Sequence, residues 1–313
     1  MFTCRNCLSK KVRSLGSKQA SQKEKAVIVT ELRRDHNLKH LLHLAGLARS
    51  CYYYHIKSVS FLDKHVNLVK HVVDIYNKHK GLYGYRRITL ALRKELGIPV
   101  NFKTIAKIMK KSNLKSIIRV KKYRSFRGDV GKEAENILQR NFKATEPHQK
   151  WATDVTEFNV KGNKLYLSPI IDLFNGEIIS YNLSTSPNYK QTIDMLDKAF
   201  KKRKKENRAH IHTILHSDQG WQYRLQKYQH KLKANNIIQS MSRKGNCLDN
   251  AIIENFFGVL KSELFYLKKY TSIVELSKEI KDYIKYYNND RIRINLNGMS
   301  PIEYRAHYIK NIA

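Results

Sequence analysis

The chain has 313 residues, 42% of them hydrophobic, and sets 60 Lys and Arg against 26 Asp and Glu for a formal net charge of +34. That length allows about two domains of roughly 150 residues each, and so large a positive excess calls for a polyanionic partner to offset self-repulsion. A membrane span is excluded by the lack of any apolar run near ~18 residues, a signal peptide by the lack of an apolar core behind the basic N-terminus, and a disulfide framework by only four cysteines, which fits a reducing cytoplasm.

The charge is uneven. Residues 1–150 hold 34 basic and 10 acidic side chains, residues 151–313 hold 26 and 16. The first part is therefore read as the grip on phosphate. The basic residues are spread over many elements, not along one amphipathic helix, so nucleic acid is favoured over a membrane surface. Residues 1–22 form a basic tail without periodicity, expected to be disordered. Cys4 and Cys7 make half a zinc knuckle, but no second Cys/His pair follows at ligand spacing. An amphipathic helix is expected over Lys23–Arg34. Leu38, Leu41, Leu42 and Ala45 keep helical spacing, Gly46 allows a turn, and Ser50 suits the N-cap of a second helix. Residues 23–60 thus read as a helix-turn-helix. His36, His40, His43 and Cys51 invite a zinc reading, which fails for want of a downstream Cys pair.

Residues 61–125 read as a second helical DNA-binding unit. Its helices are expected at His65–Lys78, at Arg86–Leu96 with Ile88, Leu92 and Leu96 buried, and at Phe102–Ser112. Gly97 and Pro99 end the middle one. The last has an apolar side of Phe102, Ile105, Ala106 and Met109. Its polar side carries Lys103, Lys107, Lys110 and Lys111, as a recognition helix would. Residues 126–145 form a basic linker, and Lys121–Arg127 interleaves aromatics with charge as a strand-hugging segment does.

The pattern then changes to strands. Lys150–Asn159 alternates around Asp154, Gly162-Asn163 is a turn, Leu165–Leu173 returns, and Ile178–Leu183 is a third strand. A helix over Gln191–Phe200 ends in the solvated run Lys201–Lys205. A buried strand over Ile211–Ser217 leads into Asp218, followed by a helix over Leu225–Ala234 and a short strand over Ile237–Ser240. That order is the α/β order of an RNase H-like integrase core: a mixed five-stranded sheet with helices, expected over residues 146–308 with a C-terminal helical extension.

Three carboxylates stand out. Asp154 lies mid-strand among apolar neighbours, where an unpartnered charge is costly. Asp218 follows a strand's C-terminal end, where α/β sheets place ligands. Glu254 lies on a helix starting near Asp249, with thirty-five residues between it and Asp218. On that helix Ile252, Phe256, Leu260 and Leu264 form an apolar stripe, leaving Asn250, Glu254 and Lys261 to another side. Three such groups converge only with cations between them. Hard oxygen ligands suit Mg²⁺, and paired metals are a standard device for displacement at phosphorus. Asp172 is read as a turn cap and Asp249 as the helix N-cap, not as ligands. Arg243 and Lys244, just before the helix, suit a flexible loop over the substrate.

Trp151-x-Thr153-Asp154, His216-Ser217-Asp218-Gln219-Gly220 and Asp249-Asn250-Ala251-x-x-Glu254-x-Phe256-Phe257-x-x-Leu260-Lys261-x-Glu263 together resemble the DDE transposases of the IS3 family, IS150 branch. Tyr83-Gly84-Tyr85-Arg86-Arg87-Ile88, Tyr283-Ile284-x-Tyr286-Tyr287-Asn288-Asn289-x-Arg291 and Ser300-Pro301-x-Glu303-Tyr304 extend the likeness over residues 25–308. Arg293 stands where many relatives have His. The resemblance implies a DNA transposase of an insertion sequence. Asp154, Asp218 and Glu254 would hold two Mg²⁺ ions, with Mn²⁺ able to substitute, and Lys261 would steady the phosphate. Water would cut the element's ends and the freed 3′-OH would join them to target DNA. Terminal inverted repeats and target would be gripped by Arg86, Arg87, Lys103, Lys107, Lys110, Lys111, Arg243 and Lys244. It further implies a homo-oligomer pairing two ends, a nucleoid-associated protein, and a second reading frame joined to an upstream one by frameshifting. The alternatives are a DNA-binding regulator with a vestigial catalytic core, and a nuclease of the same fold that cuts without joining.

Overall fold

The computed structural model describes residues 21–63, 65–117, 134–243 and 247–312. The Cys4/Cys7 pair, Lys121–Arg127 and Lys244 lie outside the described residues. The chain gathers into two compact units, residues 1–78 with 103–114, and residues 79–102 with 115–313. The stretch 79–102, expected inside the second DNA-binding unit, therefore groups with the integrase-like part.

In the first unit α1 (Gln22–Leu32), α2 (Leu38–Ala45) and α3 (Arg49–Asp63) enclose a core of Ala26, Val29, Leu32, Leu41, Leu42, Ala45, Leu47 and Tyr52. A Ser21/Glu24 capping box starts α1 and the Asn37 side chain caps α2. Gly46 ends α2 at φ +59°, a conformation open to glycine because it has no Cβ. Helix α3 starts at Arg49, so Ser50 lies inside it and is not its cap. The unit also holds α4 (Val66–Lys78).

In the second unit α5 (Tyr85–Leu96) starts behind Gly84, which offers no side-chain cap, and buries Ile88, Thr89, Ala91 and Leu92. Leu96, expected in the core, is 46% exposed. Helix α6 (Phe102–Lys111), which belongs to the first unit from Lys103 onward, buries Ile105, Ile108 and Met109. Phe102 is 47% exposed, so the apolar face turns towards Ile108 and away from the helix's first residue.

The sheet is built from β1 (Lys150–Thr153), β2 (Thr156–Val160), β3 (Asn163–Asp172), β4 (Ile178–Ser184), β5 (Thr213–Ser217) and β6 (Ile237–Met241). Both β1 and β2 pair antiparallel with β3 in one unbroken register, from Trp151 opposite Asp172 to Val160 opposite Asn163. They are one strand with a gap at Asp154–Val155. β4 covers the other edge of β3, while β5 runs parallel to β1 and β6 to β5. Counting β1 and β2 as one, the sheet has the expected five positions and mixed pairing.

Alternation distributes the core. Trp151, Ile170, Ile179 and Leu215 pack under α7 (Tyr189–Lys205) and α8 (Gln226–Lys233). Ala152, Phe158, Leu167 and Ile171 pack under α9 (Ala251–Leu260) and α10 (Ile273–Asn289), as a period of two demands. Helix α11 (Pro301–Ile312) ends the chain. The run Lys201–Lys205, expected as a solvated tail, lies inside α7. There Arg203 is 4% exposed and donates to Thr213, the Ala209 carbonyl and the Asn235 carbonyl.

Candidate active site

The gap in the first strand follows from Pro169. In the shared register Asp154 faces Pro169, whose carbonyl accepts a hydrogen bond from Thr153 Oγ1 at 2.9 Å. Proline has no N–H to return, so the ladder cannot close there. Asp154 thus sits in a break and not mid-strand, and its Oδ1 accepts the Val155 N–H at 2.7 Å. It shares the parity of Ala152 and Phe158, which pack on the α9 side.

Asp218 comes directly after β5, and its Oδ1 accepts the Gly220 N–H at 2.9 Å. A Cβ at position 220 would lie 2.9 Å from that oxygen and 2.6 Å from the Gln222 side chain, so a larger residue there would have to displace the Asp218 carboxylate or Gln222. Glu254 is exposed on α9. The helix packs through Ile253, Phe256, Phe257 and Leu260. Ile252, expected in the apolar stripe, is only half-buried, and a turn of 3₁₀ helix (Cys247–Asn250) precedes α9.

All three carboxyl groups are raised above their ordinary values. Burial and then Asp218 push Asp154 well above the usual carboxylate range, with Glu254 adding to the effect and Lys261 opposing it. Burial also raises Asp218, against the Gly220 N–H and the Arg224 charge. Burial and then Asp218 raise Glu254. Asp154 and Glu254 each feel the Asp218 charge, as like charges within electrostatic reach of one another do. Lys261 places its ammonium 5.1 Å from the Phe158 ring centre. Among the described residues, no three His, Cys, Asp or Glu side chains are drawn together closely enough to hold a metal ion as they stand.

Sequence reasoning missed two neighbours. Tyr223 is fully buried. Burial, then Asp154 and Asp218, hold its phenol far up in the neutral form. Arg224 lowers Asp218 by its charge. Both follow Gly220 within four residues, in a short 3₁₀ turn (Trp221–Tyr223) and its cap, and no motif marks them.

Asp249 is not the cap of α9. That position is Asn250, without a side-chain bond. Asp249 is buried and accepts from Arg243 Nε and Nη2 at 3.0 and 3.1 Å, from Arg140 Nε at 2.7 Å and from Asn136 at 2.9 Å. The bonds from Arg243, and then from Arg140, hold its carboxyl well below the usual range. Arg243, expected on DNA, thus has its guanidinium engaged by Asp249. Arg87, also expected on DNA, donates to Glu263 at 3.4 Å and covers the Tyr83 ring at 5.5 Å. Arg86, Lys103, Lys107, Lys110 and Lys111 are exposed. Asp172 does cap its turn, accepting from Phe174 N–H at 3.0 Å and His148 N–H at 2.8 Å. Arg293, left without a role by sequence, donates to Tyr287 Oη at 3.1 Å.

Residues 144–247 and 254–309 match the integrase core domain family, and residues 64–122 match an HTH-like domain. The putative transposase InsK for insertion sequence element IS150 of Escherichia coli K12 is 53% identical over 278 residues, covering 89% of this chain and 96% of that one. The chain belongs to the IS3-family insertion-sequence transposases. Transposase InsF for insertion sequence IS3A of the same organism is 30% identical over 296 residues, covering 92% of this chain and 100% of that one. The catalytic core of HTLV-2 integrase in complex with magnesium is 19% identical with a TM-score of 0.40, over 51% of this chain and 98% of that one. The chain is thus a transposase with an integrase core and an HTH-like domain, and none of its described helices is long and apolar enough to cross a membrane.

Proposed function

We propose that this transposase cuts and joins insertion-sequence ends at Asp154, Asp218 and Glu254, using divalent cations. The observation that carries the reading is that the Asp218 charge, at a strand end, raises both Asp154 in a strand break and Glu254 on a helix, so that three acids from three elements lie within electrostatic reach. The donor set is all hard oxygen, which fits Mg²⁺, with Mn²⁺ as a substitute. Two such ions, when bound, supply Lewis acidity at the phosphate and lower the pKa of water. The chain's own groups do the rest. Asp154 and Asp218 hold the cations from the sheet and Glu254 from α9, its exposure leaving the site open to duplex DNA. Lys261 steadies a non-bridging phosphate oxygen. Tyr223, kept neutral, keeps its hydroxyl hydrogen beside the two aspartates.

DNA is gripped by Lys103, Lys107, Lys110 and Lys111 on α6 and by Arg86, with terminal inverted repeats as the specific sites and target DNA as the acceptor. The active form is a homo-oligomer pairing two ends in the cytoplasm at the nucleoid, working with an upstream reading frame or a fusion to it. The test is strand transfer by labelled terminal repeats with Mg²⁺. Joined product that disappears in Asp218→Asn while DNA binding persists supports the proposal. Binding without chemistry favours a regulator with a vestigial core, and cut ends that never join favour a nuclease.

A further inference from the structure

A buried ion cluster begins two residues after Lys261. The chain leaves α9 in a π-turn over Lys261–Phe265, closed by the Tyr266 N–H donating to the Lys261 carbonyl at 2.8 Å. Such wide turns are uncommon and often mark functional sites. Glu263 lies at the centre of this one, with a side chain only 3% exposed. Its carboxylate accepts from Arg291 Nε and Nη2 at 2.8 and 2.6 Å, from Tyr283 Oη at 2.8 Å and from Arg87 Nη1 at 3.4 Å. Tyr83, under the Arg87 guanidinium, accepts the Ile292 N–H at 2.9 Å and donates to the Asp290 carbonyl at 3.2 Å. Two stretches distant in sequence, residues 83–87 and 283–292, thus close on one side chain.

The same turn presents Lys261 beside Phe158. Each residue in a helix turns the next by about 100°, so relaxing the π-turn to a regular helix would swing the residues around it away from their present directions. We propose that Arg87 is a positioning residue for the transposition chemistry: by closing the open side of Glu263 it holds the π-turn, and so holds Lys261 at the carboxylate site. This rests on the catalytic reading above. Arg87 suits the role because its bond to Glu263 is the longest of the four and its side chain is 20% exposed. Arg291 and Tyr283 remain to keep the fold when it is removed.

The test uses the full chain, Mg²⁺ and labelled terminal-repeat DNA in single-turnover cleavage at saturating protein. It compares wild type, Arg87→Ala, Arg87→Lys, Lys261→Ala and the double variant Arg87→Ala/Lys261→Ala, with DNA affinity and melting temperature measured alongside. Arg87→Ala should slow cleavage by roughly tenfold, since small misplacements of a reacting group cost that much or more. Its DNA affinity should stay within about twofold of wild type, and Arg87→Lys should recover part of the rate. In the Lys261→Ala background the Arg87 change should have no further effect, because its route to the chemistry is already gone. Losses that multiply in the double variant, an unchanged rate in Arg87→Ala, or DNA affinity that weakens in step with rate would overturn the positioning role, the last returning Arg87 to the DNA surface. A wild-type chain without metal-dependent cleavage would overturn the catalytic reading and this proposal together.

Discussion

Replacing Glu263 by Gln removes a charge from a site where Arg291 has a side chain only 6% exposed and Glu263 one of 3%. Gln keeps the volume and one acceptor, so the loss is electrostatic. Breaking a buried pair by neutralising one partner costs about 3–5 kcal/mol, because the other charge stays desolvated. At about 2–4 °C per kcal/mol for a unit of a couple of hundred residues, the melting temperature should drop by roughly 6–20 °C, read by circular dichroism or calorimetry. Burial alone would raise the Glu263 carboxyl, but the bonds and charge of Arg291 outweigh it and hold the group below its usual value. A carboxylate depressed in the fold adds stability above its unfolded pKa of about 4.3 and loses it as pH falls through the folded value. The gap between wild type and Glu263→Gln should therefore be full at neutral pH and close in acid below about pH 4. A melting temperature within 2 °C of wild type at neutral pH, or a gap unchanged in strong acid, would refute the reasoning.

Burial lifts Asp172 to about 6, against two N–H donors. The folded state then binds its proton more tightly, so this group's contribution to stability falls by about 3 kcal/mol as pH rises from about 4 to 6. The stability of wild type relative to Asp172→Asn should decline across that window in denaturant titrations, and a flat difference would mean that the two N–H bonds fully offset burial. Asp249→Ala should free Arg243 and Arg140 together and speed tryptic cleavage after Arg243, whereas an unchanged digestion pattern would show that the loop is held by something else. DNA binding should weaken steeply between low and physiological salt. Lys107→Ala and Lys110→Ala should each reduce the slope of log affinity against log salt by about 1 if each meets a phosphate, and an unaltered slope would take α6 off the DNA.

The sheet was legible because each strand carries its own period and its own turn signal. Lys150–Asn159, Leu165–Leu173 and Ile178–Leu183 emerged in order, and the paired faces of Trp151 and Ala152 follow from alternation alone. The break at Asp154 was not legible from the strand that contains it, because its cause is Pro169 on the opposite strand. Basic residues misled in one consistent way. Arg87, Arg203 and Arg243 read as solvent or DNA contacts, yet each guanidinium reaches partners brought close only by folding: Glu263, the Asn235 carbonyl and Asp249. The same holds for the motifs around Tyr83, Glu263 and Arg291. Sequence marks them as belonging together, and the structure gives the reason as one buried carboxylate with four donors. Asp154 and Asp218 stand out in the sequence because acids beside apolar runs and strand ends are costly without a partner. Tyr223 was missed because a buried tyrosine is ordinary until its neighbours are known.

The most direct measurement is Mn²⁺ binding, followed by electron paramagnetic resonance on the full chain bound to terminal-repeat DNA. Tight Mn²⁺ uptake by wild type that is weakened at least tenfold in each of Asp154→Asn, Asp218→Asn and Glu254→Gln is the result the account predicts, since removing one charged oxygen donor costs the site affinity. Any one of the three variants binding Mn²⁺ as tightly as wild type would contradict it.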